Sequence, residues 1–419
     1  MTRIDGAKIV IVGGGAVGCG VAFSLARAGH NDVLLLEREA SVAAATSAQA
    51  AGLVGQVRNS LERTQLAMWS VKTFSELEFA PEAVGPRSAN VTARPSWRQV
   101  GSLRVAMNDE RAAEFAQMLR VADEAGLEVH EISADDAASR WPGMDFRLAT
   151  QILWCPTDGY LQPYDLTMTY AAHAKAHGVR FQTSCLVKEV LTSGGRVVGI
   201  RTDRGEIECD TVINAAGAHA YHLAKSVGIE LPIVPVRHEF FVTVAASGLR
   251  PDLPVIRIPD ATLYLRAETN ALLCGGWEPS GVSADPRAFS VDATAPMIEP
   301  DWEVLGRFAE ELAPYFPTVN QLGIRNVFKG WPTFVPDGRF IIGPSCRLEG
   351  FVMAGGCNAH GVSGSAGIGR HVVESMFAPE PSEYVRSLSP DRFTEESWEW
   401  ESARRQAQHV YETYYCLGH

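Results

Sequence analysis

Long apolar runs are missing from this sequence: no stretch of eighteen or more apolar residues occurs, so no helix is expected to cross a bilayer. No secretory leader is expected either, because an acid follows the basic residue of MTRIDGAKIVIVGGG and glycines break the apolar run. Positive charge is scarce: 37 Lys and Arg stand against 49 Asp and Glu, for a formal net charge of -12. Such a balance gives no broad attraction to a phosphate backbone, so nucleic acid is not an expected partner. The eight cysteines contain no CxxC pair and no zinc-like spacing, which excludes a metal site built on them. Reduced thiols in a cytoplasmic compartment are the expectation. With 46% hydrophobic and 21% charged residues, the chain has the composition of a folded protein with a sizeable core.

What is present begins at Lys8. Ile9 to Val12 are apolar and β-branched, the pattern of a buried parallel strand. Gly13, Gly15 and Gly18 follow as GxGxxG, then a helical pattern from Ala16 to Ala28 with Gly29 at its stop, then a second strand from Asp32 to Leu36 ending at Glu37. The spacing has a physical purpose. Gly13 permits a tight turn, Gly15 lets the backbone approach a pyrophosphate, and Gly18 lets helix and strand pack closely. The helix start offers unpaired N–H groups and the positive end of its dipole. Glu37, nineteen positions after Gly18, stands where an acid accepts hydrogen bonds from ribose hydroxyls, and an acid there speaks against a 2′-phosphate.

The next segment, Ala40-SVAAATSAQAAGL, is small, hydroxyl-bearing and glycine-containing. Thr46 to Leu53 (TSAQAAGL) resembles the second flavin-binding loop of the D-amino-acid-oxidase-like flavoproteins, above all the sarcosine and dimethylglycine dehydrogenase/oxidase branch, where it reads Ser-Thr-Trp-His-Ala-Ala-Gly-Leu. The resemblance implies FAD. In that branch the histidine can carry the flavin covalently; Gln49 stands in its place, so non-covalent FAD is expected.

Further matches run to about Met376. Thr211 to Asn214 read as a buried strand running into Ala215-Ala216-Gly217, and Phe351 to Ala354 as another, entering a glycine-lined turn with Gly355, Gly356 and Gly361. The implied fold is α/β plus α+β: a Rossmann-type FAD-binding domain (1–80, 161–220 and 330–378) interleaved with an antiparallel-sheet substrate domain (81–160 and 221–329). A C-terminal helical extension (379–419) follows, its helix expected to start at Thr394-Glu395-Glu396 and its aromatic stripe expected to pack against the body or a subunit. The resemblance places Gly13, Gly15, Gly18, Glu37, Arg38, Thr46, Ser47, Gln49, Gly52, Val187, Ala216, Gly217, Gly356, Gly361 and Val362 around the cofactor.

The implied chemistry is oxidation of an amine C–N bond by hydride transfer to flavin, then imine hydrolysis, on a small secondary or tertiary amine or N-methyl amino acid. A D-amino-acid or glycine dehydrogenase/oxidase, or a non-catalytic FAD-binding subunit of a hetero-oligomer, are the alternatives. Arg58 is either a bidentate partner of a substrate carboxylate or a surface arginine. His238 is a base or a satisfied structural histidine, and His360 is a contact to cofactor or substrate. Tyr264, Trp277 and Trp331 form either an aromatic wall or ordinary core. No metal is expected. Oxidases of the family carry a lysine over the flavin; no lysine occurs between Lys225 and Lys329, which favours a dehydrogenase with a protein or quinone acceptor over dioxygen.

Overall fold

A computed structural model describes residues 4–84, 91–394 and 397–415. Its six-stranded sheet runs Ile341–Pro344, Phe351–Gly355, Thr211–Asn214, Ile9–Val12, Val33–Leu36, Arg180–Gln182. All neighbours are parallel except the first pair. Apolar side chains alternate between the faces. Ile9, Ile11, Val33 and Leu35 join the core under helices Ala16–Arg27, Leu61–Phe79, Pro163–Ala176 and Ser365–Phe377. Val10, Val12, Leu34 and Leu36 join a second core with Leu223, Val187, Ile200 and Ile207. Both faces are therefore covered, as a parallel sheet requires.

Close helix packing here rests on small residues. A Cβ at Gly20 would come within 2.9 Å of the Ser365 carbonyl oxygen, so only glycine lets helix Ala16–Arg27 approach helix Ser365–Phe377 this closely.

The eight-stranded sheet is mostly antiparallel. Its order is Ile324–Gly330, His238–Thr243, Ala271–Gly276, Leu263–Glu268, Val255–Ile258, Ser102–Ala106, Gln151–Cys155, His130–Glu131. One face buries Leu103, Val105, Ile256, Leu263, Leu265 and Phe241 beneath Phe308 of helix Trp302–Leu312. The other face carries a row of consecutive register partners: Phe240, Gly275, Tyr264, Arg257, Arg104. Side chains alternate along a strand, so this row looks away from the apolar core.

Helix Leu61–Phe79 is capped by Ser60, and Leu53–Val54 before it pairs with Gly159–Tyr160. One local expectation is corrected. The C-terminal helix is Trp400–Glu412, and its cap is the Glu399 carboxylate, which accepts from the Glu401 and Ser402 N–H groups. Thr394 ends a preceding 3₁₀ turn instead, while Glu395 and Glu396 lie outside the described residues. Trp400, Ala407, Val410 and Tyr411 of that helix pack on Tyr221, Val234, Trp277 and Phe334. No helix among the described residues is long and apolar enough to cross a membrane, and no cluster there could hold a metal ion.

Candidate active site

A cavity of about 690 Å³ opens at the carboxyl ends of the Ile9–Val12, Val33–Leu36 and Thr211–Asn214 strands. Gly13, Gly15, Glu37, Arg38, Thr46, Ser47, Gln49, Val187, Ala216, Gly217, Gly361 and Val362 line it. This is the crevice where open α/β sheets bind nucleotides.

Gly13 has φ +111°, a conformation that favours glycine, and a Cβ there would press on the Ala215 carbonyl. Gly18 does not face the cavity; its missing Cβ lets the helix sit against Gly13 and Ala215. Ser47 Oγ accepts from the Ala16 N–H at 2.9 Å, pinning the 46–49 turn to the helix start. Glu37 accepts from Gly14 N–H at 2.6 Å and Glu39 N–H at 2.8 Å; burial raises its pKa against those two bonds. Arg38 lines the cavity but donates to the carbonyls of Val291, Asp292 and Ala293. It thereby fastens a loop whose residues Thr294 to Ile298 form part of the cavity wall, a contact that no local sequence pattern reveals.

A second cavity, about 210 Å³, adjoins the first, and Thr46, Gln49, Ala50, Gly330, Ala359 and Val362 line both. Gly52, Arg58, His238, Tyr264, Trp277 and His360 line the second. Arg58 is not a surface residue. Trp331 does not complete a wall with Tyr264 and Trp277: it borders the larger cavity, its indole N–H donating to Pro296 O at 2.7 Å. Gly356 borders neither cavity; its φ of +59° serves a turn packed on Val335 and Ile341.

Two histidines hold their positions through directed bonds. The hydroxyl of Tyr264 lies 2.7 Å from His238 Nε2, Tyr411 lies 3.3 Å from Nδ1, and Tyr411 donates to the Glu278 carboxylate at 3.1 Å. Glu278 is held in turn by Arg237 at 2.5 Å. This order makes Tyr264 a donor to Nε2 and gives Nδ1 the proton. The His238 ring stacks on Trp277 with centroids 4.7 Å apart, and burial pushes its pKa down to about 4. His360 Nδ1 lies 2.8 Å from the Asn358 carbonyl and Nε2 lies 3.1 Å from the Tyr414 hydroxyl. Burial, then Arg58 and Arg63, drives the His360 pKa well below its ordinary value, so the ring is neutral. Asn358 and Ala359 both have positive φ (45° and 59°), local strain beside both cavities.

Sequence reasoning missed Arg63, Arg104, Arg257, Tyr414 and Tyr415, all of which line the smaller cavity. Arginines centred in the otherwise apolar strands SLRVA and VIRI were the available signal for Arg104 and Arg257. Tyr414 stacks on Trp277 at 3.6 Å, so the C-terminal segment supplies a cavity wall as well as packing. Lys329 lines the larger cavity; the lysine-free interval before it keeps lysine off the Ala271–Gly276 strand, not out of the site.

A glycine turn between strand and helix, an acid at the second strand's end and a small chamber joined to a long crevice define a dinucleotide-binding α/β protein. The family model "FAD dependent oxidoreductase" matches residues 8–375, and the chain belongs to that family. It is 30% identical over 387 residues to 4-methylaminobutanoate oxidase (formaldehyde-forming) of Paenarthrobacter nicotinovorans, covering 92% of this chain and 46% of that protein. It is 28% identical over 397 residues to the mitochondrial sarcosine dehydrogenase of Homo sapiens, covering 92% and 41%. The chain thus spans less than half the length of these curated relatives. Among solved structures, L-proline dehydrogenase from P. horikoshii superposes with a TM-score of 0.82 at 23% identity, covering 94% of this chain and 99% of that one, a likeness of fold.

The cofactor is FAD, and the cavity suits it. The larger chamber follows the strand ends, and Gly15 borders it where a Cβ would press within 2.9 Å of Ser47 Oγ, so the bare backbone is what faces the cavity there. Gln49 has no nucleophile to offer a flavin, in keeping with non-covalent binding.

Proposed function

We propose that this chain oxidises the C–N bond of a small secondary or tertiary amine carrying a carboxylate, an N-alkyl amino acid. The observation that carries the reading is the junction of the two cavities. The loop 46–50 and Gly330 separate a dinucleotide crevice from a small chamber that holds arginines, two neutral histidines and an aromatic wall. Bound FAD supplies the hydride acceptor, and water hydrolyses the resulting imine.

The residues of the chain orient the substrate and manage its proton. Arg58 presents a guanidinium to the substrate carboxylate. The Tyr264 oxygen, with its own proton directed at His238, is free to accept from the N–H of a secondary amine or of a protonated tertiary amine. His238 acts through Tyr264 and is a positioning residue. Trp277 and Tyr414 enclose the chamber and exclude water. Gly13, Gly15 and the helix start hold the pyrophosphate, and Glu37 the ribose.

The interleaved domains follow the same reading: strands of the six-stranded sheet come from 9–36, 180–214 and 341–355. Electrons pass to a protein or quinone acceptor, in a cytoplasmic setting that suits the seven described cysteines, all free. An anaerobic panel of N-methyl amino acids, primary D-amino acids and glycine tests the reading. Bleaching of the flavin band by N-methyl amino acids with formaldehyde release supports it. Bleaching by D-amino acids alone, or by none, refutes it.

A further inference from the structure

The smaller cavity is more cationic than one carboxylate requires. Arg58, Arg63, Arg104 and Arg257 line it, and no Asp or Glu does among the described residues. The chain as a whole carries a formal charge of -12, so this concentration runs against its balance. Arg104 and Arg257 are direct register partners on adjacent parallel strands, an arrangement of like charges that costs stability when nothing compensates it.

Little on the protein does compensate it. Among the described residues neither Arg58, Arg104 nor Arg257 forms an ion pair with a carboxylate. Arg58 donates to the neighbouring Val57 carbonyl, and Arg104 lies 5.9 Å from the Tyr415 ring centroid. The acid whose field reaches both Arg58 and Arg104 is Asp158, which is buried. Its oxygens are already taken by the Gln56 N–H and side chain (2.9 and 3.0 Å) and by Ser102 Oγ (2.6 Å). Burial, followed by the neighbouring Arg257 and Arg58, lowers the Arg104 pKa to about 10. Four arginines lining one cavity with no carboxylate among its described lining residues make a site suited to an anion.

We infer that the chamber takes an amine with two carboxylates, one held by Arg58 near the reacting centre and the other by Arg104 and Arg257. The row on the sheet places the second anchor: Arg257 is the register partner of Tyr264, and Arg104 lies one strand further, roughly 10 Å from Tyr264 across the ladder at about 4.8 Å per strand. A short aliphatic spacer between the amine-bearing carbon and the second carboxylate suits that reach, and a cavity of about 210 Å³ suits a small metabolite. Each planar guanidinium offers a fork that fits a carboxylate, whereas a single carboxylate leaves the Arg104–Arg257 repulsion in place.

This assignment rests on the amine-oxidising reading for its substrate, but its test does not need turnover. Glutarate and pentanoate have the same number of carbons and differ by one carboxylate, and neither can be oxidised as an amine. Their binding to the FAD-loaded protein is followed by perturbation of the flavin spectrum and by calorimetry. Glutarate is expected to bind at least ~10-fold more tightly, one charge-assisted contact's worth. In Arg104→Gln and Arg257→Gln, checked for full flavin content and a melting temperature no lower than that of the unaltered protein, the ratio falls toward one; Arg104→Lys retains part of it. Equal affinities in the unaltered protein overturn the assignment, as does a preference that both glutamine variants keep. If either variant fails to fold, the ratio in the unaltered protein decides. Tight glutarate binding with no amine bleaching the flavin sinks the oxidation reading and leaves the dianion site standing.

Discussion

His238 Nε2 lies 2.7 Å from the hydroxyl of Tyr264, and this bond joins a buried acid cluster to the chamber wall. Behind His238 stand Tyr411, Glu278 and Arg237; in front of it the Tyr264 oxygen faces the cavity. A Cβ on Gly275, the register partner of Tyr264, would collide with the phenol, so glycine there is what leaves it room. His238→Phe keeps the stack on Trp277 but removes both nitrogens. Its anaerobic flavin reduction by amine is expected to slow ~10- to 100-fold at unchanged flavin content. His238→Gln restores part of the rate, and Tyr264→Phe added to His238→Phe costs little more, because the two act as one unit. Fully additive losses would show that the bond has no part in positioning.

The grip on the cofactor is open to two substitutions. Gly15→Val projects a branched side chain into the larger cavity, its Cβ 2.9 Å from Ser47 Oγ. This protein is expected to fold and purify without colour. Glu37→Ala removes an acceptor already fixed by two backbone N–H groups and weakens FAD by roughly tenfold or more, read by equilibrium titration. A Gly15→Val protein that binds FAD normally would place the dinucleotide elsewhere.

Acid should destabilise the fold through buried imidazoles. Burial lowers the pKa of His173, His219 and His238 from 6.5 to about 4. Between those values the unfolded chain binds more protons than the native one. The stability they contribute is therefore full above about pH 6.5 and is lost as pH falls toward 4. Glu239, raised by burial to about 7, works the other way, its contribution fading as pH rises from 4.5 toward 7, and three imidazoles outweigh it. His173 is 1% exposed, and neither ring nitrogen has a hydrogen-bond partner among the described residues. His173→Phe should flatten the decline of melting temperature between pH 6.5 and 4.5; an unchanged slope would remove His173 from this explanation.

The nucleotide half of the molecule was legible because its signals are local. Strand, glycines, helix and acid fall within thirty residues, and each glycine meets a backbone restriction that sequence alone expresses. The substrate chamber was not, because it is assembled by sheet register: Arg104 meets Arg257 only when strands 153 residues apart pair in parallel. Tyr414 reaches Trp277 only because the last helix packs back on Trp277, Val234 and Phe334. The aromatic stripe was visible as packing, and its second role was not. Trp331, grouped with Tyr264 and Trp277 by residue type, belongs to the other cavity because its indole N–H found Pro296.

The electron acceptor can be approached through Lys329, which lines the larger cavity beside Gly330 and Trp331. If the acceptor is a protein or quinone, the reduced enzyme reoxidises slowly in air, and Lys329→Met leaves that slow rate within about a factor of two. Fast reoxidation that drops by a hundredfold in Lys329→Met would make the chain an oxidase.

The central claim is that three separated segments hold one FAD by non-covalent forces. Calorimetric titration of FAD into cofactor-free protein, with acid precipitation of the product, tests it most directly. The account predicts one FAD bound per chain, and yellow colour that leaves the pellet entirely. Protein that takes up no FAD, or a pellet that keeps its colour, would contradict it.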